Sequence, residues 1–281
     1  MLSYRHAFHA GNHADVLKHT VELFCLRYMT QKDKPFWYAD THAGAGYYAL
    51  DEGYATQLAE YVDGIGRLWQ RDDLPEAVAD YVDAVRELNP DGQLRVYPGS
   101  PAIALHAIRP DDRMRLFELH SSDSELLRNN FAYDHKQVSI EARDGFNGLK
   151  SVLPPPPRRG LVLIDPPYED KRDYQTVVKA LREGLKRFAT GTFAVWFPHL
   201  GRAEPGEMAA ELRTLPCKSW LEVGLRVHTP SADGFGMHGS SMFVINPPWT
   251  LKAMLEDVMP WLTEVLAQDD GAQFLLESGE N

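Results

Sequence analysis

A carboxylate, two prolines and an aromatic ring end the apolar run of residues 161–164, as the tetrapeptide Asp165-Pro166-Pro167-Tyr168. The Asp165 carboxylate and the Pro166 carbonyl can accept the two N–H bonds of an exocyclic amine. Pro167 has no backbone N–H that would occupy a nearby carbonyl. The Tyr168 ring can stack on the planar group that carries the amine, a contact of about 1–3 kcal/mol. The tetrapeptide therefore predicts a site for a planar amine such as adenine.

A second copy of the pattern, Asn246-Pro247-Pro248-Trp249, also follows an apolar run. Residues 219–228 and 240–246 are predicted to form a final antiparallel pair. The last strand would then end at the edge of the sheet opposite the crevice in which α/β proteins bind ligands. We therefore predict that Asn246 is structural and that Asp165 is functional.

Three further predicted strands end in acids that suit a nucleoside. Asp40 leads into a turn with glycines at 44 and 46, and Glu118 and Asp144 end the next two main strands. Each alone is typical of a turn or a helix cap, but together they indicate one binding site at the strand ends. We expect Glu118 to accept from ribose hydroxyls and Asp144 to accept from an adenine amine, close to the Gly145 amide.

The same turns lack a phosphate site. The segment 40–46 has neither the lysine of a P-loop nor the glycine spacing of a dinucleotide site. A nucleoside without phosphates fits better, and S-adenosylmethionine is such a molecule. The predicted reaction is methyl transfer to the exocyclic nitrogen of a base, which leaves S-adenosylhomocysteine. Asp165 is the predicted catalytic residue, and it either takes a proton or only orients the amine.

The predicted elements form an α/β fold with a mostly parallel, doubly wound sheet. Asn12 is expected to cap an amphipathic helix over residues 13–30, and Ser100 is expected to cap a second helix that begins at Pro101. Strands are predicted at 36–39, 95–97, 114–118, 138–141, 161–165 and 193–197, with helices at 121–131 and 174–188. Residues 55–88 show helical spacing and no strand pattern. We expect a single domain over 1–281 with a small helical subdomain inserted at 51–93.

Composition limits the classes of partner. The net charge of −11 argues against a general nucleic-acid binder, but the acids concentrate in residues 51–92 and 251–281, which leaves room for a local basic face. The basic residues near the tetrapeptide and at the N-terminus are candidates to hold phosphates: Arg5, Lys18, Arg158, Arg159, Lys171, Arg172, Lys179, Arg182, Lys186 and Arg187. The two cysteines and eleven histidines match no metal spacing. No secretory signal or membrane span is predicted, and a cytoplasmic protein is expected.

These motifs together resemble a known family along nearly the whole chain. The chain is similar to the bacterial 23S ribosomal RNA adenine-N6 methyltransferases that modify adenine 2030. The resemblance rests on residues 3–6 and 12–19, the turn at 40–46, the segment 97–101 and the two Pro-Pro tetrapeptides. It implies a Rossmann-like class I methyltransferase fold with the helical insertion.

The resemblance also implies roles for single residues. It implies cofactor contacts at His19, His42, Ser100, Glu118, Asp144, Gly145 and Asp165. Tyr4 would touch the substrate RNA. His19, His42 and Ser100 are expected only on this ground, because a lone histidine or serine is more often structural.

The expected substrate is free 23S RNA before ribosome assembly, handled by a monomer, since no separate RNA-binding domain is predicted. The target adenine must be unpaired or flipped, at a cost of a few kcal/mol. Two other enzyme classes use similar tetrapeptides. A DNA adenine-N6 methyltransferase would need a larger target-reading region than the acidic insertion offers, and a protein glutamine methyltransferase is the second alternative. A binding module that has lost its chemistry is disfavoured by the intact set of acids.

Overall fold

A single twisted sheet forms the centre of the computed structural model, which describes residues 6–134 and 136–281. Its strands are β1 (Trp37–Asp40), β4 (Arg113–Phe117), β5 (Val138–Glu141), β6 (Gly160–Ile164), β7 (Thr192–His199), β8 (Ser219–Arg226), β9 (Gly239–Ile245) and β10 (Gln273–Glu280). The spatial order is β10-β8-β9-β7-β6-β1-β4-β5. A separate antiparallel pair is formed by β2 (Tyr47–Ala49) and β3 (Val96–Pro98).

The five strands from β5 to β7 run parallel, and the order reverses direction at β1. All five residues of β6 are buried, as expected for a parallel strand that is covered on both faces. Strand β9 runs against both β7 and β8. The predicted doubly wound, mostly parallel sheet and its final antiparallel pair are therefore confirmed.

The edge strand β10 is missing from the prediction. It pairs antiparallel with β8 over its full length. Its residues are all exposed or half-buried, so they do not show the alternation by which a half-buried strand is recognised.

The first helix, α1 (His13–Thr30), has the predicted bounds but not the predicted exposure. Asn12 caps it by accepting from the backbone N–H groups of Ala14 and Asp15. Fourteen of its 18 residues are buried, including charged ones, so the expectation of an amphipathic helix is wrong. The helix lies between the sheet and neighbouring helices, and its buried Lys18 pairs with Asp165 inside the protein.

Short helices occupy most of the chain between β2 and β3. They are α2 (Ala55–Leu58), a 3₁₀ turn (Glu60–Asp63), α3 (Ile65–Leu68) and α4 (Glu76–Glu87). Helix α4 packs on α1, which ties this segment to the core. The division of the chain into one domain with an inserted subdomain stays a prediction.

The remaining helices connect the strands. They are α5 (Ser100–Ala107), α6 (Ser121–Asn130), α7 (Gly145–Val152), α8 (Arg172–Arg187), α9 (Glu204–Leu212) and α10 (Leu251–Leu266). The prediction that Ser100 caps α5 is wrong by one residue: Gly99 is the cap, and Ser100 begins the helix. None of the helices in the described ranges combines the length and apolarity that a bilayer crossing requires.

Candidate active site

The carboxyl ends of the parallel strands bring most of the predicted site residues together around one cavity of about 400 Å³. Its lining includes His42, Gly44, Ser100, Glu118, Asp144, Gly145 and Asp165. A volume of this order suits a small organic ligand, because ligand pockets span roughly 300–1,000 Å³. The grouping follows from the topology, since parallel strands end at the same edge of the sheet.

The turn after β1 holds Glu118 in place. Gly44 has a φ of +60°, and its N–H donates to Glu118 Oε2 at 2.8 Å. The His120 N–H donates to the other oxygen, Oε1, at 2.7 Å. Burial raises the pKa of the Glu118 carboxyl, although both backbone bonds act in the opposite direction. Each oxygen keeps acceptor capacity, so the predicted ribose contact stays open.

Asp40 lies behind the cavity wall and positions two residues of that wall. It is fully buried and accepts from the Ser100 hydroxyl at 2.6 Å, the His42 N–H at 3.0 Å and the Tyr38 hydroxyl at 3.0 Å. Burial raises the pKa of its carboxyl to about 6, against the effect of these three donors. Ser100 is thus used as a donor to Asp40 instead of as a helix cap.

Asp144 caps helix α7. Its Oδ1 accepts from the Phe146 N–H at 2.8 Å and the Asn147 N–H at 3.3 Å. A side chain on Gly145 would collide with the carbonyl oxygen of Thr41, so glycine lets the start of α7 approach the β1 turn. The cap fixes Asp144 at the cavity, and its predicted bond to an adenine amine stays a prediction.

His19 does not reach the cavity. It is fully buried, its Nδ1 lies 2.7 Å from the Tyr97 hydroxyl, and its ring stacks on Tyr97 at 5.6 Å. Burial lowers its pKa to about 3. The sequence places His19 on a polar side of α1, and in the structure that side faces Tyr81 and Tyr97. His19 does not line the first cavity, so its predicted contact with the cofactor stays a prediction.

Lys18 and Asp165 form the centre of the site. Lys18 Nζ lies 2.7 Å from Asp165 Oδ2 and 2.9 Å from Asp15 Oδ1, and the Lys18 side chain is 5% exposed. Burial acts to lower the Lys18 pKa, but the two carboxylates outweigh it and raise the pKa well above its usual value. Asp15 also pairs with His6 Nε2 at 2.9 Å. Lys18 is therefore committed inside the protein, and its predicted role in holding a phosphate is wrong.

A second cavity of about 550 Å³ meets the first at this pair. Four residues line both cavities: His6, Lys18, Asp165 and Pro167. Tyr168 and Trp196 line the second cavity only, and Lys18 Nζ lies 5.9 Å from the Trp196 ring centre. Asp165 thus stands between two spaces, each large enough for a small planar group.

The rest of the tetrapeptide differs from the prediction. Tyr168 has a φ of +52° and is 2% exposed, with its hydroxyl donating to the Trp196 carbonyl at 2.8 Å. Its ring packs against Tyr174 at 4.5 Å, so it does not offer an exposed stacking face. The Pro166 side chain is buried and lines neither cavity, whereas Pro167 lines both. Tyr4 lies outside the described residues.

Asn246 lies at the opposite edge of the sheet and is structural, as predicted. Its side-chain Nδ2 donates to the carbonyls of Ala189 at 2.9 Å and Gly191 at 2.8 Å, and its Oδ1 accepts from the Lys218 N–H at 3.2 Å. It lines neither of the two cavities.

Sequence reasoning missed the partners of Asp165. The Asp15–Lys18 pair has the spacing of a helical ion pair, which was the available signal. His6 belongs to the N-terminal stretch on which the family resemblance rests and Trp196 belongs to a predicted strand, but neither was assigned a role at the site. Over the described ranges, no group of histidines, cysteines or acids is arranged to hold a metal ion.

Comparisons with known proteins identify the family of this chain. A family model described as "Ribosomal RNA large subunit methyltransferase D, RlmJ" matches residues 33–276. Ribosomal RNA large subunit methyltransferase J of Escherichia coli K12 is 51% identical over 93% of this chain and 93% of its own length. The protein of the same name from Haemophilus influenzae is 48% identical over 99% of this chain and 98% of its own length.

A crystal structure of a Legionella pneumophila protein, 34% identical, superposes with a TM-score of 0.89 and covers 96% of this chain and 98% of that one. The strand order and the reversed strand β9 confirm the predicted Rossmann-like class I methyltransferase fold. The family predicted from the motifs is confirmed as well: the chain belongs to the ribosomal RNA large subunit methyltransferase J family.

Proposed function

We propose that this protein transfers a methyl group from S-adenosylmethionine to the exocyclic N6 of adenine 2030 in 23S ribosomal RNA. The family membership supports the class of reaction. The observation that carries the proposal is the meeting of two cavities at Asp165, one lined by the predicted cofactor residues and one lined by Tyr168 and Trp196.

The first cavity suits S-adenosylmethionine. The Glu118 carboxylate lies at its wall with acceptor capacity left for a pair of ribose hydroxyls, and Asp144 and Gly145 lie at the start of α7. His42 and Ser100 line the same wall and are held by Asp40. When bound, S-adenosylmethionine supplies an electrophilic methyl group on a sulfonium centre. Nothing in this donor set calls for a metal ion, and we propose a metal-free site.

The second cavity suits the target base. Asp165 would accept one N–H of the adenine amine from the shared wall. The predicted acceptor of the other is the Pro166 carbonyl, next in the chain; Pro166 lines neither cavity, so the bound base would have to bring this carbonyl to the wall. With both N–H bonds held, the nitrogen lone pair is directed out of the plane of the ring. Positioning of this kind can contribute several kcal/mol, roughly 7–11 in well-oriented model reactions. The buried edge of Tyr168 and the Trp196 ring would contact the base from the side.

Lys18 and Asp15 support this chemistry through their contacts with Asp165 and with each other. Lys18 fixes the orientation of the Asp165 carboxylate through Oδ2, which leaves Oδ1 for the amine. The group of Asp15, Lys18 and Asp165 carries one more negative than positive charge. That excess is aimed at the place where the amine nitrogen becomes positive, and preorganised charge of this kind is a large term in catalysis.

The finer features of the substrate rest on the sequence. We propose free 23S RNA before ribosome assembly as the substrate, a monomer as the active form, the cytoplasm as its location and Tyr4 as an RNA contact. Residues 1–281 would act as one methyltransferase domain, with 51–93 as its inserted helical part.

Methyl transfer to defined nucleic acids tests the proposal. The purified protein with radiolabelled S-adenosylmethionine is expected to label a 23S RNA transcript, and the label should fall to background when adenine 2030 is replaced by guanine. Nucleoside mass spectrometry should identify the product as N6-methyladenosine.

Two results would overturn the proposal. Label on DNA of the same sequence, with none on the RNA, would favour a DNA adenine methyltransferase. Label on a protein glutamine with unmodified RNA would favour the amide-methylating alternative.

A further inference from the structure

Four histidines and an arginine lie together at the outer rim of the second cavity. His199 ends β7, Arg226 ends β8, His228 follows two residues later, and His238 precedes β9. His13 begins α1 and lines the cavity itself. Because β7 and β8 run in the same direction and β9 runs against them, the first four residues share the sheet edge that carries Asp165. We call these five residues the histidine rim.

The rim is compact and borders the cavity. The ring centres of His199 and His238 are 5.9 Å apart, and those of His238 and His228 are 6.4 Å apart. The His238 N–H donates to the His199 carbonyl at 3.2 Å. Pro198 and Met237, the neighbours of His199 and His238, line the second cavity. His199, His228 and His238 are each half-buried, and His199 Nε2 lies 2.7 Å from the hydroxyl of buried Ser241, which leaves its Nδ1 for a ligand.

Positive charge is disfavoured at the rim in the free protein. Burial lowers the pKa of His199 to about 4, and His238, Arg226 and His13 lower it further. Burial and His228 likewise lower the pKa of His13 to about 4. The pKa of His238 is lowered by burial, His228 and Arg226. Cations at the rim would repel one another, and a bound anion would reduce this repulsion and favour the protonated histidines.

Among the described residues, acidic groups act on the rim at its two ends, His13 and His228. Asp15, Glu60 and Asp63 act on His13, and Asp269 faces His228. These acids do not reverse the lowering of the His13 pKa. None of them is among the main causes of the pKa shifts of His199 and His238. In the described part of the chain, the main electrostatic influences on His199 and His238 are therefore cationic groups and not acids.

We propose that the histidine rim binds a backbone phosphate of the RNA beside the target nucleotide and takes up protons as it does so. The proposal rests on the proposed function, because it places the target base in the second cavity. Each nucleotide carries one phosphate charge, and phosphate contacts set the register of a nucleic acid on a protein. A phosphate between His199 and His238 would favour their protonated forms, whose ring N–H groups both donate.

Binding of RNA at two pH values tests this site. The probe is a short hairpin RNA cut from 23S RNA around adenine 2030, and its Kd is measured by fluorescence anisotropy. Uptake of about one proton predicts binding about tenfold tighter near pH 6 than near pH 7.5. The double variant His199→Gln with His238→Gln should lose most of that difference, and its salt slope should fall by about 1. The control His106→Gln, at a histidine that pairs with Glu87 outside both cavities, should keep both.

Two parallel measurements separate the possible failures. Unchanged binding of S-adenosylmethionine shows that the double variant is folded, and His238→Gln alone is a milder change expected to lose part of the pH dependence. If the double variant keeps the native pH dependence and salt slope, the rim is not a phosphate site. Methyl transfer to the same hairpin by the unaltered protein is measured alongside. If this activity is present while the double variant behaves like the native protein, the rim proposal fails and the proposed function does not.

Discussion

The two Pro-Pro tetrapeptides follow buried strands of one sheet, β6 and β9, but they end at opposite edges. Asp165 follows a parallel strand, lines both cavities and pairs with a buried lysine. Asn246 follows a strand of reversed direction and uses its amide to join three backbone groups. Similar residues thus serve a reaction in one place and hold loops together in the other. Strand direction is what distinguishes them.

The strained residue also differs between the two copies. In the first copy the positive φ falls on Tyr168, which is buried, and in the second it falls on Asn246 itself. The aromatic residues differ accordingly, because Trp249 is 81% exposed whereas Tyr168 is 2% exposed. In the first copy the aromatic residue, Tyr168, is buried next to the Asp165 carboxylate. In the second copy the amide of Asn246 makes the contacts and the aromatic residue, Trp249, is exposed.

Removal of the lysine should cause the largest effect and should affect only the first copy. Lys18→Met leaves Asp15 buried without its cation, which costs about 3–5 kcal/mol in the free energy of unfolding. Loss of the Asp165 orientation should lower kcat about 100-fold. Urea unfolding and methyl-transfer kinetics measure the two effects. The matched control is Lys252→Met at an exposed position of α10, which should change neither quantity appreciably.

The aromatic residues of the two copies should differ next. Tyr168→Ala removes a buried ring and should cost about 3–5 kcal/mol of stability. Trp249→Ala removes an exposed ring and should change stability by no more than about 0.5 kcal/mol. Thermal and urea unfolding of both variants measure the contrast. Similar losses in the two variants would mean that Trp249 is covered in solution.

The smallest expected effect is a pH dependence of stability, and it arises from Asp40 at the edge of the sheet that carries the active site. The pKa of Asp40 is raised to about 6 in the folded protein, so the folded state binds a proton that the unfolded state has already lost. Its contribution therefore favours folding at low pH and is lost as the pH rises through 6. Between pH 5 and pH 7 the free energy of unfolding should fall by about 1 kcal/mol from this group alone. Asp40→Asn should remove that slope, whereas a variant that keeps it would assign the titration to another group.

The sequence predicted the residues at the strand ends of the site better than the contacts between these and more distant residues. Strand ends at Asp40, Glu118, Asp144 and Asp165 follow from local patterns, and parallel strands bring such ends together whatever the loops do. The reversal of β9 was expected because residues 219–228 and 240–246 were predicted to form an antiparallel pair. These features depend on short stretches of chain.

The interior depends on contacts between distant residues. Lys18 and Asp165 are 147 positions apart, and only packing shows that the lysine is committed to carboxylates instead of phosphates. The same holds for His19, since a polar residue on a helix predicts exposure unless its buried partners are known. The edge strand β10 was missed because its half-exposed residues lack any periodic pattern.

Exchange of the two strand-end residues for alanine tests the central claim most directly. Methyl transfer to the 23S hairpin and urea unfolding are measured for Asp165→Ala and Asn246→Ala. Asp165→Ala should lower kcat by roughly 10²–10⁴-fold while the protein stays folded. Asn246→Ala should keep kcat and lower the free energy of unfolding by about 1–3 kcal/mol, because three backbone groups, of which only Gly191 is buried, lose their bonds to its amide. Equal losses of activity in two folded variants would contradict the assignment of the active site to the Asp165 copy.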